Sequence, residues 1–500
     1  MLDKKPIYIG RPLCIKRHEN VHGREVLLVY NSLSNELLEL NTPASISLLE
    51  SCDGTNSIEE IIKMLSTKYA ISIEKVKEET FSMLSVLEKY KTITYDLKKE
   101  LQQNREISLN PKPFLDYMQK VGLTHLSVPL HVRFLLTSRC NGRCPYCYLG
   151  GGTELPSFFG EELPTHELMK VVDRCEEIGV SAISFMGGEP FLRNDTVDLI
   201  NYTLQYGIST VTSTNGTIPQ KQLEKLSNIA SDPLLGMQVS IDGSTKEIHE
   251  YHRPGAKYEQ VVRCVKALVD YGARINTNTV VTKKNINDAG NIVQFLHDLG
   301  VKIVTFSELM PVGLAANLVD EFLPSFWDYY NFQLNVIPKL REDYSDMFIG
   351  GKILEPEFWD DSKAQKPQSK CYGKCSAFTE DITIGADGTV IPCAFFALYP
   401  EFRAGNVLHE DILQIWNSDK VSTFRRIPIH GKCERCKFSL ACYKGCAALK
   451  WALHRNIHIP DPKCWYIPGD RKTIYPPKEI LETMKPSYQK DLRNKKEIKG

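Results

Sequence analysis

From residue 131 onward, short apolar runs alternate with amphipathic stretches whose apolar positions recur every three or four residues. The runs at 131–137, 181–186, 208–214, 236–241, 274–281 and 301–307 predict six strands separated by helices. Such alternation builds a parallel sheet with helices outside it. Six units predict an α/β fold, a partial (β/α)6 barrel open along one side, with active residues on the loops after the strands. Residues 1–95 read differently: strand-like runs at 6–16, 24–30 and 37–40 precede helical patterns. Thr42 is placed to cap a helix beginning at Pro43, Ser57 and Glu60 form a capping box ahead of Ile61, Ile62 and Leu65, and a third helix follows Ser72. Residues 96–128 are polar and broken by prolines, as a linker is. The barrel spans 129–330 and a bridging region 331–370. Cysteine and glycine then concentrate in 371–466, and 467–500 is a tail rich in Lys and Pro.

Composition narrows the function classes. The 500 residues balance 61 basic against 61 acidic side chains, so nothing draws the whole molecule to nucleic acid or an anionic membrane. The first ten residues lack a signal-peptide pattern and no segment reads as a membrane span, so a cytoplasmic protein is expected. In a reducing compartment, 15 cysteines point to metal or catalysis rather than disulfides.

The first predicted strand runs into Cys140-Asn-Gly-Arg-Cys144-Pro-Tyr-Cys147, three thiols within eight residues. A cubane iron–sulfur cluster takes one thiolate per iron, so three cysteines leave one iron open to another ligand. A zinc site or a group of buried thiols is the competing reading. This segment, with the strands that follow it, resembles the radical S-adenosylmethionine (SAM) superfamily over residues 130–310. The resemblance implies that Gly187-Gly188-Glu189-Pro190 holds the methionine amino group of the cofactor. It further implies that Thr214 and Asn215 at the end of strand three, and Asp242 after strand four, line the cofactor site. Ser240 would bind ribose and Arg253 carboxylate, while Tyr146 packs near the adenine or covers the cluster. The implied chemistry is reductive cleavage of the sulfonium to a 5′-deoxyadenosyl radical that abstracts hydrogen from an unactivated C–H bond, with no catalytic residue assigned beyond the cluster ligands.

A second set reads Cys375-x12-Gly388-x4-Cys393, a gap, then Cys433-x2-Cys436-x5-Cys442-x3-Cys446-x17-Cys464. It resembles the SPASM extension of peptide-modifying radical enzymes, which implies two auxiliary [4Fe–4S] clusters and three in all. By that resemblance Cys433, Cys436, Cys442 and Cys464 ligate the outer cluster, and Cys375, Cys393 and Cys446 the inner one. Cys371 is its fourth ligand, or else one iron stays open. Paired structural zinc sites compete with this reading, although only one C-x2-C knuckle occurs. Cys14, Cys52, Cys175 and Cys264 take no functional role; the last two lie on apolar helix faces, where a buried free thiol is ordinary.

The segment 37–94, with Leu40-Asn-Thr-Pro-Ala44 and Cys52-Asp-Gly-Thr55, resembles the winged-helix-like recognition element of ribosomal-peptide pathways. That implies a leader peptide bound as an added strand. A DNA-binding winged helix fits poorly, since residues 1–93 carry 12 Lys or Arg against 13 Asp or Glu. A purely structural cap is the remaining alternative. Together the three parts resemble maturases that join cysteine sulfur to carbon in a ribosomally synthesised precursor peptide, giving sactipeptides or ranthipeptides, with flavodoxin or ferredoxin as electron donor. Carbon–carbon crosslinking, epimerisation, Cys or Ser oxidation as in sulfatase maturases, and noncatalytic peptide delivery are the alternatives.

Overall fold

The computed structural model describes residues 4, 7–8, 13–19, 25–31, 36–52, 54–90, 92–95, 126, 128–150, 160–351, 375–436 and 445–462. Among them no helix is long and apolar enough to cross a membrane.

In the N-terminal unit, β2 (Leu13–Glu19), β3 (Glu25–Asn31) and β4 (Glu36–Leu40) form an antiparallel sheet. A short β1 (Ile7–Tyr8) pairs with β5 (Ile93–Thr94). Between the sheet and β5 lie α1 (Pro43–Glu50), α2 (Ile58–Tyr69) and α3 (Ile73–Lys89), starting where the caps predict. Thr42 Oγ1 accepts from Ser45 N–H at 3.1 Å, and Ser57 N–H donates to Glu60 Oε2 at 2.7 Å. These side chains satisfy donors that a helix start otherwise leaves unpaired. Leu48, Ile61, Ile62, Leu84 and Leu87 pack with Val29 and Leu40 into a core of the unit's own.

The main sheet has ten strands. Its centre is β6 (His131–Leu135), β7 (Ala182–Met186), β8 (Ser209–Thr214), β9 (Leu235–Ser240), β10 (Arg274–Val281) and β11 (Ile303–Glu308), parallel and in chain order. These are the six strands the hydropathy pattern predicts. The sheet continues past both ends. β12 (Phe348–Gly351) adds parallel to β11, and β13 (Asp381–Ile384) adds parallel to β6, followed by antiparallel β14 (Thr389–Ile391) and β15 (Gly405–Asn406). The cysteine-rich C-terminal region therefore extends the barrel sheet. Its Ile382, Ile384, Ile415 and Trp416 share one apolar core with Val132, Phe134 and Phe185 of the barrel, and Trp416 Nε1–H donates to Leu126 O at 2.9 Å. Apolar burial fastens this region to β6.

Candidate active site

The chain leaves the C-terminal end of β6 and turns into the loop bearing Cys140, Cys144 and Cys147, and three backbone segments clamp that loop. Beyond β7, Gly188 N–H donates to Thr137 O and Glu189 N–H to Arg139 O, both at 2.8 Å. A methyl group on Gly188 would stand 2.1 Å from Arg139 O, so only glycine lets these two backbones meet. Past helix Lys246–His252, Pro254 O accepts from Arg143 N–H at 2.7 Å. Gly255 follows at φ 93°, and a Cβ there would lie 2.2 Å from Asn141 O. After β11, Leu314 N–H donates to Cys147 O at 3.1 Å. Gly188→Ala is expected to destabilise the fold by about 3 kcal/mol through this overpacking. Gly290→Ala, which meets no atom within 4 Å, should stabilise it by about 0.5 kcal/mol. Thermal unfolding of the two variants reads the contrast.

The thiols of Cys140 and Cys144 flank Gly142, where a Cβ would lie 3.5 and 3.8 Å from their sulfurs. Burial pushes the Cys140 thiol up to about 12, against one backbone donor from Gly142. Burial likewise pushes Cys144 up to about 11, with Arg253 pulling the other way. Such thiols are poor nucleophiles and become thiolates when a metal ion displaces the proton. Among the described residues no three His, Cys, Asp or Glu side chains close on one point tightly enough to hold a single ion. A tetrahedral zinc site needs sulfurs about 3.8 Å apart, as its 2.3 Å bonds dictate. A cubane spreads its thiolates over separate irons, and three cysteines on one clamped loop fit that donor set.

Around the thiols, side chains from successive strand ends interlock. Glu189 is fully buried; its Oε1 accepts from Thr214 Oγ1 at 2.8 Å and Phe191 N–H at 3.2 Å, and its Oε2 from Asn215 N–H at 2.7 Å. Burial raises this carboxyl to about 7 despite those donors. Pro190 starts the short helix Pro190–Leu192 and is buried. Asn215 Nδ2 donates to Asn141 Oδ1 at 2.8 Å, and Asn141 Nδ2 to Thr217 Oγ1 at 2.7 Å, tying the end of β8 to the cysteine loop.

Asp242 is also fully buried, with both carboxylate oxygens engaged from within. Val280 N–H donates to its Oδ1 at 2.7 Å, the Tyr146 hydroxyl donates to Oδ2, and Arg253 Nε stands 2.6 Å from Oδ2. Burial pushes this carboxyl upward most strongly, but Arg253, His252, the Tyr146 hydroxyl and the Val280 N–H together hold the group below the usual carboxylate range. Arg253 Nη1 also reaches to 3.9 Å from Cys144 Sγ. Tyr146 packs against Phe322 and His252. Asp242, Tyr146 and Arg253 thus brace one another behind Cys144. Ser240 is the last residue of β9 and half-buried.

Of the second cysteine set, Cys375, Cys393 and Cys446 lie close together. Cys393 and Cys446 pack against one small cluster around Phe396 and Ala447. Burial raises Cys375 to about 12 and Cys393 well above its ordinary value, with each of these two groups in the field of Cys446. Cys446 caps helix Ala447–His454, its sulfur 3.5 Å from Leu449 N–H, where the helix dipole favours a thiolate. Cys433 and Cys436 lie on a short turn at Gly431–Arg435 and just after it. Cys371, Cys442 and Cys464 lie outside the described residues. Cys52, Cys175 and Cys264 are buried in apolar cores.

Sequence reasoning missed the polar lumen. Arg133 on β6 reaches Asp381 on β13 at 2.6 Å, His131 bonds Ser184 at 2.7 Å, and Asn278 on β10 accepts from Ser307 on β11 at 2.6 Å. Burial, with Arg133 alongside, lowers His131 to about 3, which keeps it neutral in the barrel wall. The strict alternation in Arg274–Val281, where partly exposed residues alternate with buried ones, was the signal that one face lines a cavity. Gly255 left no such trace, because its contact with Asn141 is far away in sequence, and Gly188 was marked for the cofactor rather than for its contact with Arg139.

Residues 134–296 match the radical SAM superfamily, and residues 375–437 match the SPASM iron–sulfur cluster-binding domain. The chain is similar to the antilisterial bacteriocin subtilosin biosynthesis protein AlbA of Bacillus subtilis, 26% identical over 415 residues that cover 81% of this chain and 84% of AlbA. It is also similar to an AdoMet-dependent heme synthase of Oleidesulfovibrio alaskensis, 28% identical over 361 residues, 67% of this chain and 88% of the synthase. Its fold resembles that of Streptococcus suis SuiB bound to precursor peptide SuiA, with a TM-score of 0.66 at 16% identity, covering 91% of this chain and 98% of SuiB. The clamped three-thiol loop at the head of a parallel barrel lies in the stretch that matches the radical SAM superfamily, and the chain is an enzyme with a radical SAM domain over 134–296 and a SPASM domain over 375–437, which bind SAM and iron–sulfur clusters.

Proposed function

We propose that this enzyme matures a ribosomally made precursor peptide by joining cysteine sulfur to a carbon of another residue as an intramolecular thioether. The observation that carries the reading is the meeting of the two thiol sets. The exit of the first loop, Cys147, Tyr148 and Leu149, packs directly on Ala386, Ile391 and Ala397 of the C-terminal region. Tyr148 stands edge-on to Phe395 at 5.2 Å, next to Cys393. Thioether formation removes two hydrogens from the peptide, and an electron acceptor close to the radical site serves that balance. The SAM-loaded cluster would supply a radical for one hydrogen atom of the peptide, and an auxiliary cluster would supply the acceptor for the electron released as the C–S bond closes, the cysteine thiol's proton passing to solvent.

The chain's own residues bind and orient. Cys140, Cys144 and Cys147 hold the first cluster. Cys375, Cys393 and Cys446, with Cys371, hold the inner auxiliary one. Cys433 and Cys436, with Cys442 and Cys464, hold the outer one. Ionised Glu189 holds the cofactor's amino group together with the backbone at Gly187 and Gly188, and Pro190 shapes that turn. Thr214 and Asn215 keep Glu189 in place. Ser240 takes the ribose. Arg253, braced by Asp242 and Tyr146, offers its remaining donors to the carboxylate. With Glu189 titrating at about 7, the charged form is lost as pH falls through that value. Cofactor affinity of cluster-loaded protein is therefore expected to be about tenfold weaker at pH 6 than at pH 8. Calorimetry across that range checks it, and a flat profile in the wild type would count against the role.

The N-terminal unit, read as a winged-helix-like recognition domain, binds the leader and raises the local concentration of the core peptide. A match over 81% of the chain extends into the region before residue 129, and it is to a bacteriocin biosynthesis protein. The heme synthase match needs only the barrel and the cysteine-rich region. Deleting residues 1–95 is expected to weaken binding of a fluorescently labelled leader at least about tenfold while SAM cleavage persists. Unchanged leader affinity would remove the recognition role. Mass spectrometry of the product tests the reaction. A loss of two hydrogens with one thiol protected from alkylation supports the thioether. The same loss with all thiols reactive indicates a carbon–carbon link, or serine oxidation where the product carries a hydrazine-reactive aldehyde, and unchanged mass indicates epimerisation. We place the reaction in the cytoplasm, with flavodoxin or ferredoxin as reductant.

A further inference from the structure

Lys450 is one of the largest fully enclosed side chains of the described residues, with 2% of its surface exposed. It sits in the first turns of helix Ala447–His454, one turn after Cys446, whose carbonyl accepts its backbone N–H at 3.2 Å. Two costs fall on its ammonium group there: burial disfavours a charge, and the positive end of a helix disfavours a cation. Such a group persists only with negative charge around it. Asp461 supplies part, its carboxylate fixed beside Cys446 by the N–H of that cysteine at 2.7 Å. The thiols of Cys375, Cys433 and Cys446 are close enough to act on its charge as well, and each turns anionic as a thiolate. These belong to both auxiliary sets, the first and third to the inner and the second to the outer.

We propose that Lys450 is the resident countercharge of the auxiliary iron–sulfur centres, a positioning residue that raises their reduction potential. The inference rests on the auxiliary-cluster reading above. A cubane ligated by four thiolates is anionic, and reduction adds one more negative charge. A buried cation beside it therefore favours the reduced form, since net charge and enclosure set the potential of such clusters. An auxiliary centre that must accept an electron during crosslinking benefits from that bias.

The test uses the full chain, anaerobically reconstituted, with Cys140, Cys144 and Cys147 replaced by Ala so that only auxiliary clusters report. Redox titration followed by electron paramagnetic resonance is run with Lys450 retained and in Lys450→Met, Lys450→Gln and Lys450→Arg. In the Met and Gln variants the ratio of reduced to oxidised cluster, at the midpoint of the Lys450 protein, is expected to fall at least tenfold. This corresponds to about 59 mV for one electron. The Arg variant is expected to stay near the starting value. Loss of auxiliary iron in the Met and Gln variants but not in Arg also supports a charge role. An unmoved potential in Met and Gln, or equal loss in all three, overturns it and leaves Lys450 a packing residue. Absence of iron in the Lys450-retaining protein overturns the cluster reading itself, and the role of Lys450 with it.

Discussion

Replacing Cys140, Cys144 and Cys147 together with Ala is expected to abolish formation of 5′-deoxyadenosine from SAM while leaving the barrel folded. The three thiols contribute little to the fold, because the loop is positioned by backbone contacts from the glycine turn after β7, from Pro254 and from Leu314. Truncation removes sulfur and not those bonds. Arg253 loses its neighbour at Cys144 but keeps Asp242 at 2.6 Å, so the brace behind the loop survives. What disappears is the ligand set. The thiols of Cys140 and Cys144, held at raised pKa, are poor acids until iron takes the proton's place, and no other described cysteine lies on that loop. The measurement is chromatographic quantification of 5′-deoxyadenosine after anaerobic incubation with dithionite, alongside iron content. Iron should fall by about a third if three cubanes are present, and circular dichroism should be unchanged. Cleavage at the wild-type level in the triple variant would remove the basis for every role assigned to that loop.

Much of the frame was legible because it rests on local physics. The run Arg274–Val281 is strong enough to set the strand, and the Thr42 and Ser57 caps place helix starts to the residue. The cysteine spacing alone announced metal chemistry. What escaped is nonlocal. β12 ends in two glycines and β13 is four residues long, so neither has the apolar run that marks the inner strands, and both owe their structure to a finished sheet edge. Asp381 pairs with Arg133 across 248 positions of sequence, a distance no periodicity spans. Gly255 reads as a turn residue in isolation. Only its approach to Asn141 reveals that it fixes the cluster loop. Lys450 resembles an ordinary helix lysine until its burial is known.

Loss of the inner auxiliary set is expected to have a different signature. Cys375→Ala, Cys393→Ala or Cys446→Ala should leave 5′-deoxyadenosine formation within about threefold of wild type while crosslinked peptide falls to background. The reason lies in how the two thiol sets are supported. Cys375 precedes β13 and Cys393 follows β14, and both strands belong to the barrel sheet, whose core runs continuously through Ile382, Ile384 and Val390. Removing one sulfur therefore leaves a scaffold held by apolar burial, at a cost of about 1–3 kcal/mol for a small buried truncation. The first loop keeps its clamps and its thiols. In the proposed reaction the electron that leaves the peptide as carbon and sulfur join then loses its nearby acceptor, so hydrogen abstraction becomes abortive. Parallel quantification of 5′-deoxyadenosine and of peptide mass from the same reaction reads the uncoupling as a rising ratio of cleavage to product. If both fall together, the auxiliary set acts on cofactor cleavage itself. If neither falls, Tyr148 and Phe395 merely pack two regions together, and the electron leaves by another route.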